Sequence, residues 1–271
     1  LLKIAKANNW GLCKKNGFIY LYNGSYWNEI NKESFQSFLG NVALKMGVQK
    51  FTCKIHTFKD ELFKQFLADA YLPTPKTNKK SVLINLQNGT FEIKPNKREL
   101  RAFNRNDFLT HQLPFEYEPE AAAPLFKKYL DEVLPDVDKQ RVFAEFCGYI
   151  FIKPSVLKLE KMLILYGTGA NGKSVWLNLC EQSFGKYFGK LNPETFTEQS
   201  RGANQTSELS GVVPCRIVGI EEPDDSKKLI VNTIKELSGD APRKTRGLYQ
   251  EAFSFTPQFA LIFLCNDIPS L

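Results

Sequence analysis

Gly167-Thr168-Gly169-Ala170-Asn171-Gly172-Lys173-Ser174 sets one cation and one hydroxyl behind a glycine-rich turn, in the spacing G-x-x-x-x-G-K-S. That combination suits a nucleoside triphosphate. Glycines let successive backbone N–H groups turn inward around a β-phosphate. A helix that starts at the loop's end adds its positive terminus. Lys173 would reach the β- and γ-phosphates, and the Ser174 hydroxyl would ligate Mg²⁺. The reading is therefore a P-loop for ATP and Mg²⁺, lined by Gly167 through Ser174.

Two further chemistry-bearing groups follow. Arg216-Ile217-Val218-Gly219-Ile220-Glu221-Glu222-Pro223 is an apolar run that ends in two carboxylates. Hydrolysis needs one carboxylate near the metal and a base to orient water. The residues alone leave the roles open between Glu221 and Glu222. Gln258 to Cys265 is another apolar run, and Asn266-Asp267 closes it. An amide there can hydrogen-bond the attacking water or a γ-phosphate, or simply close a turn before Pro269. Between these runs, Arg243, Lys244 and Arg246 stand in a basic segment flanked by extended stretches. Three cations on one hairpin fit a phosphodiester backbone, and a solvated surface loop is the alternative.

The elements that must position these groups read as follows. Leu163 to Tyr166 is a strand that runs into the glycine-rich turn, and Val175 to Cys180 is helical. The two later apolar runs are core strands, whose carboxyl ends are where ligands bind in parallel sheets. Lys227 to Ser238 is a helix. Upstream, residues 120–134 and 138–152 are helical, and Pro135 separates them. Ser81 to Leu86 and Thr90 to Ile93 form a hairpin around Asn88-Gly89. Residues 96–112 are polar and read as a loop. Phe18 to Tyr22 and Tyr26-Trp27 flank Asn23-Gly24 as another hairpin, whose aromatics are read as a small core rather than as base-stacking platforms. Residues 33–48 and 57–71 have helical spacing. The domain reading is an N-terminal α+β unit over 1–119 and an ATPase unit over 120–271, with 120–158 as helical lead-in.

Bulk properties restrict the class. The chain has 271 residues and a net charge of +7. The first 80 residues hold thirteen lysines against five carboxylates, so the excess is N-terminal. That suits a polyanion or a lysine-rich solvated surface. The six cysteines are scattered without a C-x-x-C pair, and only His56 and His111 could assist them. A zinc site is not expected, and apolar flanks suggest buried thiols in a reducing compartment. No apolar stretch reaches the ~18 residues of a membrane helix. The expected location is cytoplasmic.

The order of these motifs resembles superfamily 3 helicases. It is most similar to the phage and plasmid primase-helicase proteins and the poxvirus-type NTPases. The resemblance rests on Asn171 before Gly-Lys-Ser, the acidic strand ending Glu222-Pro223, Ile234 to Asp240, the basic hairpin and the strand ending in Asn266. Ile84 to Ile93, Phe108 to Thr110 and Gln112 to Pro114 resemble the domain preceding the helicase in that family. The resemblance implies an α/β fold with a P-loop AAA+-like core after a smaller α+β domain. It implies ATP-driven translocation on single-stranded or forked DNA by a homo-oligomeric, typically hexameric ring. Glu222 then matches the principal Walker B acid, with Glu221 as its helper. Asn266 matches the sensor, and Arg246 with its neighbours matches the DNA-gripping hairpin. The family's arginine finger lies beyond the sensor strand, past Leu271. A primase-polymerase module, if present, would lie upstream. Other readings of the same motifs are a non-unwinding origin-binding factor or loader, and a small-molecule P-loop kinase.

Overall fold

Burial on both faces explains the most apolar segment of the chain. In the computed structural model, which describes residues 3, 7, 11–15, 18–70, 81–153, 157–197, 203–221, 228–246 and 252–267, strand β12 (Ala260–Cys265) is buried at every position. It lies between β7 (Leu163–Tyr166) and β9 (Ile217–Glu221), and β8 (Phe188–Lys190) adds to the far side of β9. The order is β7-β12-β9-β8 and every pairing is parallel. Parallel sheets need cover on both sides, so their inner strands lose the polar alternation of half-buried ones.

Two apolar layers supply that cover. Ile217, Ile262 and Leu264 pack with Trp176, Leu177 and Cys180 of helix α6 (Lys173–Phe184). Helices α4 (Pro124–Val133) and α5 (Val137–Tyr149) contribute Tyr129 and Phe143 to the same layer. On the opposite face Val218, Ile220, Leu261 and Phe263 meet Leu209 of α7 (Ala203–Val212) and Leu237 of α8 (Val231–Ser238). Each such fully buried side chain contributes about 2 kcal/mol. A methyl group at Gly219 would come within 2.7 Å of Leu177, so only glycine lets α6 lie this close to β9.

Upstream of this sheet stand two antiparallel meanders. The first is β1 (Leu12–Lys15), β2 (Phe18–Tyr22) and β3 (Trp27–Ile30). Helices α1 (Lys32–Lys45), α2 (Lys50–Lys54) and α3 (His56–Asp69) follow it. Asn31 caps α1 by accepting from the Glu33 and Ser34 amides at 2.8 and 3.2 Å. Phe35, Leu39 and Phe66 close a core over Ile19. The aromatic hairpin is largely core: Trp27 and Phe108 are buried with Cys13, and Tyr20 and Tyr22 pack on them.

The second meander is β4 (Val82–Leu86), β5 (Gly89–Lys94) and β6 (Lys97–Arg101). Strand β6 corrects the loop expected over 96–112. Lys97-Arg98-Glu99-Leu100-Arg101 has no apolar alternation because it is a charged edge strand, and ion pairs rather than a buried face hold it. Arg101 donates to Glu92 at 2.7 Å and to Asp107 at 2.9 Å. The segment after β6 ties the meanders together. The Trp27 amide donates to Leu109 O and its indole to Arg105 O, both at 2.7 Å. Further on, His111 Nε2 donates to Phe184 O at 3.0 Å, at the end of α6.

Helix α7 and strand β8 were not foreseen. The expected helix over 227–238 begins at Val231, and Lys227 is outside the described residues. The extended arms around the basic segment do pair: β10 (Arg243–Thr245) is antiparallel to β11 (Phe253–Phe255). The six cysteines are free thiols, and burial raises Cys215 to about 11. No helix among the described residues is long and apolar enough to cross a membrane.

Candidate functional site

The carboxyl edge of the parallel sheet brings three sequence-selected groups side by side. Register places Cys265 opposite Tyr166 and Leu264 opposite Glu221. The strands therefore end level, and the loop 167–172, Asn266 and Glu221 emerge at one edge. The Gly167 amide still donates to Cys265 O at 3.2 Å, which anchors the loop to the central strand.

Loop conformation follows from its residues. Gly172 has φ of 82° and Ala170 has φ of 61°, both in the left-handed region. At Gly172 a side chain would also come within 2.8 Å of the Tyr129 ring. The Tyr129 hydroxyl donates to Gly172 O at 2.8 Å, so α4 holds the loop's last turn from outside. Helix α6 starts at the next residue, and its first-turn amides face the loop. Thr168 and Gly169 complete the turn, and Ser174 is exposed in the helix's first turn.

The Lys173 ammonium uses its three donors within this edge. It donates to Gly167 O, to Asn171 Oδ1 at 2.9 Å and to Asn266 Oδ1 at 3.1 Å. Lys173, Asn171 and Asn266 are thus brought together across 93 residues of sequence. Glu221 stands one strand further along. Its carboxylate takes Lys190 Nζ at 3.0 Å, and Lys190 also reaches Glu181 of α6 at 3.2 Å. The hydrogen bond that Lys190 donates to Glu221 is the main reason its ammonium titrates above its ordinary value. Glu222 lies outside the described residues.

The basic candidates occupy the separate β10–β11 ribbon. Arg243 pairs with Glu236 of α8 at 2.9 Å and is only 23% exposed. Lys244 and Arg246 are exposed. Alternation along β10 explains the split, since Arg243 and Thr245 share a face that Lys244 does not. Tyr129 and Lys190 were missed by sequence reasoning. Each acts through a partner distant in sequence, and neither sits in a motif.

Comparisons with known proteins bear on both halves. Residues 2–135 match the family described as D5 N terminal like. Residues 165–271 match a family described only as a family of unknown function. Among curated proteins, "Putative helicase L207/L206" of Acanthamoeba polyphaga mimivirus is 25% identical over 223 residues, which is 80% of this chain and 23% of that protein. "Putative helicase 022R" of Frog virus 3 (isolate Goorha) is 28% identical over 150 residues, 53% of this chain and 15% of that protein. These matches are to a D5-type N-terminal family over just under half of the chain and to proteins named as putative helicases. The chain spans less than a quarter of the length of either relative. Among solved structures, the apo C-terminal region of NrS-1 aligns over 99% of this chain and 56% of its own, with a TM-score of 0.55 at 13% identity. At that identity the likeness is one of fold.

Proposed function

We propose that the chain is the ATPase part of a replicative DNA helicase of superfamily 3, from a virus, phage or plasmid, with a P-loop AAA+-like core. The observation that carries this reading is the contact between Lys173 and Asn266. It joins the end of the glycine-rich loop to the tip of the neighbouring strand, where a γ-phosphate would need both a cation and an amide.

The residues fit a magnesium nucleoside triphosphate. Left-handed backbone at Ala170 and Gly172 opens the loop's amides to an anion. Phosphate oxygens would replace Gly167 O and the two amide oxygens as acceptors for Lys173. Ser174, with Glu221 and Glu222, would hold Mg²⁺, which when bound neutralises charge on the β- and γ-phosphates. Asn266 would orient the attacking water and Glu222 would accept its proton, with Glu221 as helper and Lys190 fixing the Glu221 carboxylate. Lys244 and Arg246, with Arg243 braced by Glu236, would contact single-stranded or forked DNA. Subunits would assemble as a ring, hexameric by family resemblance, and a primase-polymerase module would lie outside these residues.

ATP turnover with and without single-stranded DNA, followed by strand displacement on a tailed duplex, tests the reading. A helicase shows DNA-stimulated turnover and displacement. Turnover without displacement would replace it with a loader or origin-binding ATPase. Turnover indifferent to DNA would contradict both.

A further inference from the structure

A second cleft lies at the opposite, amino edge of the parallel sheet. Its volume is about 760 Å³, within the range of ligand sites. Arg216, at the entry to β9, lines it from the sheet, Lys153 from the segment after α5, and Lys15 at the end of β1 from the first meander. No part of the glycine-rich loop contributes to its walls.

Three cations converge there, one more than the carboxylates that share the walls. Lys15 Nζ sits 4.7 Å from the centre of the Phe108 ring, and the Arg216 guanidinium 5.8 Å from that of Tyr187. Arg216 Nη1 is buried and has no hydrogen-bond partner. Two carboxylates, Glu29 and Asp240, share the walls. Glu29 faces the Lys186 charge and the Tyr20 hydroxyl, and Asp107, which also faces Lys153, is held by Arg101 at 2.9 Å. Burial and then the Arg216 charge push the Lys153 ammonium below its ordinary value. Burial chiefly does the same at Lys15, and Arg216 adds to it. A buried donor with no acceptor and two desolvated lysines beside it are the environment an anion relieves.

Aromatic side chains form part of the remaining wall. Phe18, Tyr20 and Phe253 line the same space, and base faces stack on such rings without regard to sequence. Ser254 also lines it and is the register partner of Lys244 on the β10–β11 ribbon. The cleft is therefore continuous with the ribbon that carries the exposed cations.

We propose that this cleft holds one or two nucleotides of a single-stranded polynucleotide, with Lys15, Lys153 and Arg216 on its phosphodiesters and Phe18, Tyr20 and Phe253 against its bases. The assignment rests on the reading that the chain handles nucleic acid, and it is independent of unwinding. It predicts that a strand gripped at the ribbon continues along the amino edge of the sheet, away from the nucleotide.

The test is anisotropy of a fluorescent oligothymidylate against salt, for the protein and for Lys15→Gln combined with Lys153→Gln. Affinity should fall about tenfold or more, and the salt slope should flatten by about 1.4, the value for two phosphate contacts on a single strand. ATP affinity should not change. The melting temperature should hold or rise, because two mutually repelling charges are gone. The charge-keeping pair Lys15→Arg with Lys153→Arg should retain oligonucleotide binding. Unchanged affinity and slope in the Gln pair would overturn the cleft. If only Lys244→Ala with Arg246→Ala weakens binding, the cleft fails and the proposed function stands. Failure of the unaltered protein to bind oligothymidylate would overturn both. Displacement of the oligonucleotide by millimolar inorganic phosphate at constant ionic strength would mark a free-anion site and overturn the strand assignment.

Discussion

Lys173 is the residue whose surroundings carry most information. Its motif stood out because glycine, lysine and hydroxyl follow in the fixed order, along one short segment, that the proposed triphosphate would need. Asn266 read by itself as a polar residue at a strand tip, the family resemblance matched it to the sensor, and register sets it against Lys173. Tyr129 was not legible. It is one aromatic among several on an amphipathic helix, and its hydroxyl finds Gly172 O through tertiary packing. That hydrogen bond contributes about 1 kcal/mol to the loop's geometry. Tyr129→Phe should therefore weaken ATP binding about fivefold while the ring keeps its packing. Calorimetric titration beside a thermal melt checks this, and a large fall in melting temperature would assign Tyr129 to the core instead.

At the scale of elements, strands buried on both faces and helices with a clear apolar stripe were readable, as β9, β12 and α8 show. Strand β6 was not, because charges rather than hydrophobicity fix it. Burial would raise the Glu92 carboxyl, but hydrogen bonds from Arg101, Ser81 and Lys94 outweigh it and hold it at about 2. Arg101→Met takes the cation from Asp107 and leaves Glu92 with the Lys94 cation alone, and should destabilise the second meander by about 3 kcal/mol. Urea unfolding measures this. The joint at His111 has its own signature. Burial, and less strongly the Lys186 charge, lower its pKa below the usual 6.5, while the bond to Phe184 O works the other way. A group depressed on folding contributes stability above its unfolded value, which is lost as pH falls through the folded one. The melting temperature should drop between pH 7 and pH 5, and His111→Gln should reduce that drop.

For the whole molecule, an α/β architecture was what the family resemblance implied, and the parallel sheet between helical layers matches that much. The chain's two halves meet through contacts no sequence pattern announces, such as His111 on the end of α6 and the cleft between Lys15 and Arg216. Ring assembly belongs to this scale. If nucleotide completes a shared interface, mass photometry with a non-hydrolysable ATP analogue and single-stranded DNA should show assemblies of about six chains that are absent without nucleotide. A monomer under every condition would count against the ring. The most direct measurement is the affinity of Mg²⁺–ATP for the protein and for Lys173→Ala by calorimetric titration. Seating of the triphosphate on the glycine-rich loop requires at least about a tenfold loss in the variant. Equal affinities, in two proteins with equal melting temperatures, would contradict it.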